Sequence, residues 1–303
     1  MRRGCGIAAV LVGALTVAGC AAADRGRGGT AATSERAVTA DKTSAASART
    51  EIQVNRSYWY AGFKVTLGTA RLLSAKSPVL TIDATFQNLS LDREREPPGQ
   101  LLVTSGADSY KEPSREQSKL PKVAARQSGT GVIAIQVDDR FDLSKAVLTV
   151  GEPRYRQAVV PLGRPDGLIS LEPRPLTISG RAYPEGRKDI YITLTGGEVR
   201  ADDARSLAEA PAGQEFVLIS FKATNDSAAG MSYVFDRELN LVLPDGTKVG
   251  HAGSCSRAQV HIQPHSTVQP DGPACFAVPA PATGTYRFVW DNKDTEGVPL
   301  LIG

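Results

Sequence analysis

The sequence predicts an all-β protein with two β-sandwich domains, and three observations indicate it. Short runs of alternating apolar and polar residues recur between residues 51 and 303, separated by turns that contain glycine or proline. A period of two is typical of strands with one buried face. Helical periodicity is nearly absent, and only residues 204–210 suggest one or two helical turns. About 250 residues follow the N-terminal region, which is enough for two domains.

The second half of this region repeats the pattern of the first. A predicted strand at residues 80–86 runs into Asn88-Leu89-Ser90, and one at residues 217–223 runs into Asn225-Asp226-Ser227. In each half an alternating strand precedes this one, and an apolar strand with a glycine-containing turn follows it. Three matching strands in the same order lead us to interpret the two halves as an internal duplication.

Further predicted strands complete each half. They lie at residues 132–135, 146–150 and 157–162, and then at 260–262, 276–278, 286–290 and 298–302. Short strands at regular spacing are typical of a sandwich. Residues 163–181 hold three prolines and are expected to connect the domains, with an edge strand at 168–171. We therefore place the first sandwich at 51–172 and the second at 173–303.

The first twenty residues have the layout of a secretory signal. Arg2 and Arg3 give a positive start, an apolar stretch follows at residues 7–18, and small residues precede Cys20. The stretch is shorter than the roughly 20 apolar residues of a comfortable membrane span. The final Val-Ala-Gly-Cys resembles the lipobox of bacterial lipoproteins. This resemblance implies a signal peptide at 1–19, cleavage after Gly19, and a diacylglycerol on Cys20 that holds the protein at the extracytoplasmic face of the cell membrane.

Residues 20–50 are expected to be a flexible tether. Ala, Gly, Ser, Thr and Arg dominate them, and Val38 is their one large apolar residue. Such a composition buries too little surface to offset the entropy lost on ordering. As a random coil it would span roughly 30 Å.

The charge balance excludes one class of partner. Without Arg2 and Arg3, which lie in the signal, 33 basic and 32 acidic residues leave a net charge of +1. Nucleic-acid binding needs a basic face, so no nucleic-acid partner is expected. No phosphate-binding glycine loop and no other cofactor motif is present, so we expect no cofactor.

Four cysteines suggest one disulfide. Cys5 lies in the signal and Cys20 carries the predicted lipid, which leaves Cys255 and Cys275. An even pair in an oxidising compartment predicts a bridge between them. Closing a loop of this length would stabilise the fold by roughly 3 kcal/mol.

One short stretch offers an alternative function. His251, His261 and His265 could converge on a divalent metal, and Cys255 could act as a thiol nucleophile. Pro264 interrupts the strand between the last two histidines, and a disulfide would occupy the thiol. A metal-handling or thiol-dependent envelope enzyme is therefore the alternative, and no catalytic residue is assigned.

Two other features have simple structural interpretations. The cluster Tyr58-Trp59-Tyr60 with Phe63 could offer a ligand platform or touch the bilayer surface. It could instead be an opening strand whose rings cover the core, and we favour the strand. The mixed-sign charge runs at residues 92–96 and 200–205 are expected to be solvated loops. Trp290 is expected in the core.

The combination of features resembles a known class. A lipobox, a tether, and strands reading Tyr-Ile-Thr-Leu and Val-Leu-Ile-Ser-Phe-Lys-Ala-Thr-Asn are similar to immunoglobulin-like secreted proteins and lipoproteins of unknown function from Gram-positive bacteria. The resemblance implies two tandem immunoglobulin-like β-sandwich domains. It also implies a non-enzymatic role in binding an envelope protein or cell-wall ligand, and it assigns no functional residues.

Overall fold

The predicted all-β fold is confirmed in the computed structural model, which describes residues 50–73, 76–111, 118–255, 259–290 and 297–303. Strands dominate these residues, and the helices among them are two single turns. In this described part no helix is long and apolar enough to cross a membrane. The predicted signal, Cys20 and the expected tether up to residue 49 lie outside the described residues.

The first half forms two antiparallel sheets. Its strands are β1 (Glu51–Tyr60), β2 (Phe63–Leu73), β3 (Val79–Asn88), β4 (Leu101–Ser105), β5 (Asp108–Lys111), β6 (Ser128–Gln136), β7 (Ala146–Val150) and β8 (Ala158–Pro161). One sheet has the order β1-β2-β3-β6 and the other β5-β4-β7-β8. A 3-10 turn at Leu143–Lys145 leads into β7, and the carboxylate of Asp142 caps it.

Alternating side chains of the two sheets meet in one core. Tyr58, Tyr60 and Phe63 are buried in it, as expected for an opening strand that covers the core. Trp59 lies between two of them in β1 and is half-buried, with the Lys64 ammonium 5.0 Å from its ring centre. The period of two therefore separates core rings from a surface ring on the same strand.

The second half also contains two main sheets. Its strands are β9 (Arg174–Leu176), β10 (Gly180–Ala182), β11 (Ile190–Arg200), β12 (Asp202–Asp203), β13 (Ala208–Glu209), β14 (Gln214–Asn225), β15 (Met231–Val234), β16 (Leu239–Val242), β17 (Lys248–Gly250), β18 (Gln259–Ile262), β19 (Ser266–Val268), β20 (Ala274–Pro279), β21 (Gly284–Trp290) and β22 (Val298–Ile302). A helical turn, α1 (Phe235–Glu238), precedes β16. In one sheet β11 pairs with β9, β10 and β14, while β14 also pairs with β19 and β20; the other has the order β17-β16-β21-β22.

Aromatic rings fill the core of the second half. Phe235 and Trp290 lie edge-on with ring centres 5.4 Å apart, and Phe276 and Phe288 do so at 6.0 Å. Trp290 is 1% exposed, which confirms the core position predicted for it. Its indole nitrogen donates to Glu238 at 3.0 Å, so its polar atom is satisfied as buried rings require.

The strand pairing of the second half repeats that of the first. The set β2-β3-β6 corresponds to β11-β14-β20, and β5-β4-β7-β8 corresponds to β17-β16-β21-β22. A bulge follows Leu67, which faces Ala84, and another follows Leu194, which faces Phe221. These are the strands that the sequence pattern matched. Their origin by duplication and the domain bounds stay predictions.

A buried asparagine ends the matched strand in each half. Asn88 and Asn225 are fully buried. Each side-chain oxygen accepts the backbone N–H two residues on, from Ser90 and Ser227, at 3.0 Å. Each side-chain nitrogen donates to backbone carbonyls of neighbouring loops. The Asn-x-Ser pattern therefore forms a turn at the end of the strand. The asparagine side chain also connects this turn to neighbouring loops by hydrogen bonds.

We expect Asn225→Ala to destabilise the fold by about 2 kcal/mol or more, because buried backbone groups lose their partners. Urea unfolding measures the loss. Asp226→Ala is the matched control, since its side chain is exposed one residue away. Equal losses for the two variants would contradict the role given to Asn225.

The expected helical turns at residues 204–210 are wrong. This segment is a turn between the short paired strands β12 and β13. The carboxylate of Asp203 accepts the backbone N–H of Arg205 at 3.1 Å and the hydroxyl of Ser206 at 2.6 Å. Such local side-chain bonds compete with a helix. The edge strand expected at 168–171 is reduced to one bridge, between Ile169 and Val159.

Candidate functional site

The candidate site lies where the two halves meet within residues 50–303. The backbone N–H of Arg156 donates to the carbonyl of Ala210, and that of Ala212 donates to Arg154, both at 2.9 Å. Tyr155 and Pro211 form a bridge between these bonds. Main-chain bonds therefore fix the end of segment 200–212 against the first half.

A buried ion pair occupies the centre of this junction. Arg200 and Asp202 are 8% and 3% exposed. The Arg200 Nε donates to Asp202 Oδ1 at 2.7 Å, and Asp202 Oδ2 accepts the backbone N–H of Gly62 from the first half. Burying two charges is costly, and hydrogen bonds to the remaining donors and acceptors offset part of that cost. Asp202 gains such a bond from Gly62.

The expectation of a solvated loop at residues 200–205 is therefore wrong for its buried members, Arg200, Asp202 and Asp203. These side chains are covered because the segment packs against the first half, which is more than 100 residues away in sequence. A local charge pattern carries no information about such a partner. The other run, residues 92–96, is exposed as expected, apart from half-buried Arg95.

Charged side chains of both halves meet at the junction. Arg95, Glu152 and Arg156 come from the first half, and Asp202, Glu209 and Glu215 come from the second. Arg156 Nη2 lies 3.1 Å from a carboxylate oxygen of Glu215. Arg95 Nη1 donates to the carbonyl of Ala61 at 3.0 Å, and burial lowers the pKa of Arg95. The charge pairing favours one orientation of the halves.

Glu209 reaches back to the first half through a tyrosine. Its carboxylate accepts a short hydrogen bond from the hydroxyl of Tyr60. Burial, together with the negative charges of Asp202 and Glu152, raises the pKa of Glu209 above the ordinary carboxyl value. Burial and the same hydrogen bond raise the pKa of Tyr60, so it remains a donor.

We expect Glu209→Gln to raise the melting temperature at pH 7.5 and to change it little near pH 4. The raised pKa means that the folded state holds the proton more tightly than the unfolded state. The stability that this proton contributes is fully present below the unfolded-state pKa and is lost as pH rises through the folded-state pKa. Glutamine mimics the protonated form at every pH.

Glu94→Gln is the control for this prediction, because Glu94 is exposed. In Glu94→Gln, the difference between the melting temperatures at pH 7.5 and pH 4 should be the same as in the parent chain. Thermal melts of the three proteins at both pH values decide the matter. A Glu209→Gln variant that is less stable at pH 7.5 would contradict the assignment.

A pocket of about 350 Å³ opens beside the buried ion pair. Both halves line it: Leu89 and Leu91 come from the first, and Thr195, Gly196, Gly197, Glu198, Arg200, Asp203, Ala204, Arg205, Leu218, Ser220 and Pro273 come from the second. The bulge of β11 forms one wall. Gly197 is required there, because a Cβ would lie 2.5 Å from the carbonyl oxygen of Leu218.

Arg200 has one nitrogen that its neighbours do not satisfy. Nε binds Asp202 and Nη1 donates to Glu198 at 3.0 Å. Nη2 is buried and has no hydrogen-bond partner. Burial lowers the pKa of Arg200, but the charges of Asp202 and Glu198 outweigh it and raise the pKa. Leaving a buried donor unsatisfied costs about 1–3 kcal/mol of stability, and more in a charged group. A hydrogen-bond acceptor placed next to Nη2 would remove that cost.

The three histidines occupy different elements. His251 lies in the loop after β17, His261 lies on β18 with Nδ1 2.8 Å from the Ser232 hydroxyl, and His265 lies in the turn before β19 with φ 51°. Among the residues that the structure describes, no group of three or more His, Cys, Asp or Glu side chains is placed to hold a metal ion.

The predicted disulfide between Cys255 and Cys275 is confirmed. Both cysteines are buried, in a small cluster with Ala210, Phe216 and Leu218. The backbone N–H of Ala252 donates to the carbonyl of Cys275 at 2.8 Å. Cys255 is therefore not a free thiol here, and its bridge packs in the same cluster as Leu218, a residue that lines the junction pocket described above.

No family model matches this chain, and no curated protein matches its sequence. Among solved structures it is similar to a crystal structure of a conserved hypothetical protein from Bacillus anthracis, at 11% sequence identity and a TM-score of 0.31. The similarity covers 43% of this chain and 99% of that one.

Proposed function

We propose that this protein is anchored by lipid to the extracytoplasmic face of the cell membrane and binds a partner of the cell envelope without catalysing a reaction. The observation that carries the proposal is Val-Ala-Gly-Cys20 directly after a positive start and an apolar stretch. A diacylglycerol on Cys20 would supply two acyl chains, and two membrane signals are what stable anchoring needs.

The disulfide supports this location. Structural disulfides persist in oxidising compartments and are rare in the cytosol. Cys255 and Cys275 are buried together in a β-rich unit, so their bridge suits a protein that works outside the membrane. The tether at residues 20–50 would then hold the folded unit at some distance from the lipid surface.

The junction supports a binding role. Recognition surfaces often lie on loops that a rigid scaffold positions. Here main-chain bonds and the Arg156–Glu215 ion pair hold the two halves together, and a pocket with wall residues from both opens at their contact. We further propose that the halves are immunoglobulin-like repeats, since the strand pairing and the buried asparagines recur. Fold alone does not fix a function, so the binding role depends on the pocket and loops.

Protease treatment of intact cells tests the location. The full chain should fractionate with the membrane and be degraded by a protease added outside wall-stripped cells, while a cytoplasmic marker survives. A chain that is protected until the membrane is broken would contradict the proposed face.

Site-specific photocrosslinking tests the binding role. A photoreactive residue at Leu91, which is 42% exposed at the rim of the pocket, should give a discrete adduct in living cells. Leu301 is 75% exposed on β22 and serves as the control position. Adducts of equal yield at both positions, or at neither, would contradict binding at the junction.

A further inference from the structure

We propose that the junction pocket binds a small neutral ligand through an amide group, whose carbonyl oxygen accepts a hydrogen bond from Nη2 of Arg200. This inference rests on the proposed function, because it names a class of ligand for the binding protein. It concerns the pocket lined by Leu89, Leu91, Arg200 and the bulge of β11.

The unmet donor defines the first requirement. A guanidinium has five N–H donors, and Nη2 carries two of them. The other two nitrogens of Arg200 bind carboxylates at 2.7 and 3.0 Å, whereas Nη2 has no hydrogen-bond partner. Arg200 is one of the residues that line the pocket. A ligand that fits this site therefore needs an oxygen atom that can accept a hydrogen bond from Nη2.

The surrounding charges define the second requirement. Asp202 and Glu198 already pair with Arg200. Glu198 and Asp203 line the pocket together with Arg200 and Arg205, so the lining carries two charges of each sign. A ligand carboxylate or phosphate would therefore lie beside two protein carboxylates, and the Arg200 guanidinium is already paired with Asp202 and Glu198. A cation would leave Nη2 unsatisfied. A neutral carbonyl satisfies the donor without either cost.

The walls define the third requirement. Leu89, Leu91 and Leu218 present apolar surface on the same pocket that holds Glu198 and Ser220. An amide offers an acceptor for Nη2, a donor for a carboxylate or hydroxyl, and apolar substituents on both sides. A volume of about 350 Å³ lies at the small end of ligand pockets, so the ligand is small. Nη2 has almost no solvent-accessible surface, so a ligand reaches it only when a lining side chain moves aside. Arg205 is an exposed lining side chain and is the one assigned this movement.

Ligand-observed saturation-transfer NMR on the full chain in detergent tests the inference. Three probes are used: N-acetyl-alanine methylamide for a peptide amide, N-acetylglucosamine for a sugar-borne acetamide, and acetate for a carboxylate. We expect saturation transfer to at least one amide probe and none to acetate. The probe that binds distinguishes a peptide source from a sugar source. No transfer to either amide, or transfer to acetate as strong as to the amides, would overturn the inference.

Two variants place the binding in the pocket. Leu91→Trp should obstruct it, and Leu301→Trp is the matched control on an exposed position elsewhere. Arg200→Lys keeps a positive charge for Asp202 but lacks Nη2, and should weaken amide binding by about tenfold or more. If Arg200→Lys does not fold, Leu91→Trp alone decides. Amide binding unchanged in Leu91→Trp would overturn the inference.

The two proposals fail separately. If the protein is membrane-bound and crosslinks at Leu91 but binds neither amide probe, only the proposed ligand class is wrong. If it binds an amide probe but is protected from protease inside the cell, the proposed location is wrong and the proposed binding pocket stands.

Discussion

Replacing Cys20 by alanine is expected to abolish lipid attachment and to move the protein from the detergent phase to the aqueous phase in a Triton X-114 partition. The thiol of Cys20 is the atom that would carry the diacylglycerol, and alanine has no nucleophilic sulfur. Each buried methylene of an acyl chain contributes about 0.8 kcal/mol to membrane binding. Loss of two chains therefore removes most of the anchoring free energy, and the net charge of the mature chain offers no strong electrostatic substitute.

Cys5→Ala is the matched control for this experiment. It makes the same chemical change within the predicted signal, fifteen residues upstream. The control should partition with detergent like the parent chain and yield the same mature mass. If both variants remain in the detergent phase with the mass of the parent, Cys20 is not the lipidated residue.

Replacing Asp202 by alanine is expected to cost about 3–5 kcal/mol of unfolding free energy, because breaking one side of a buried pair leaves the other charge uncompensated. Arg200 is 8% exposed and would keep only Glu198, which is half-exposed. The N–H of Gly62 would also lose its acceptor. Asp202→Asn should fall between the parent and Asp202→Ala, since its amide oxygen still accepts from Gly62. Urea unfolding measures the three free energies.

Asp83→Ala is the matched control for burial. Asp83 pairs with Arg71 at 2.6 Å, but their side chains are 47% and 40% exposed. Exposed pairs contribute little, because water and salt screen them. Its loss should therefore be much smaller than that of Asp202→Ala. Similar losses for both variants would mean that the Asp202 pair does not hold the junction.

The strands were predictable because their signal is local. Residues 146–150 alternate between the core and the other face, and the strand β7 has those bounds in the structure. The repeated Asn-x-Ser was also visible in the sequence, and its meaning followed only when both asparagines proved to be buried. The disulfide could be predicted by elimination among four cysteines.

The junction was not predictable for a physical reason. Arg200 and Asp202 are two residues apart, a spacing that places side chains on one side of an extended chain. That spacing could have suggested an ion pair. Nothing in the neighbouring sequence shows that the backbone of Gly62 packs against Asp202 and donates to its carboxylate. The bulge between Leu194 and Gly196 shapes the pocket, and its position depends on the register with the partner strand β14. The local composition suggested a solvated loop, whereas packing against the distant first half buries Arg200 and Asp202.

The central claim is that the mature protein begins at a lipidated Cys20, and mass spectrometry of its N-terminal peptide tests this most directly. We predict that the protein isolated from its membrane has Cys20 as its first residue, with the added mass of a diacylglycerol on the sulfur. A protein that begins at Met1, or an unmodified Cys20 in the membrane-bound protein, would contradict the account.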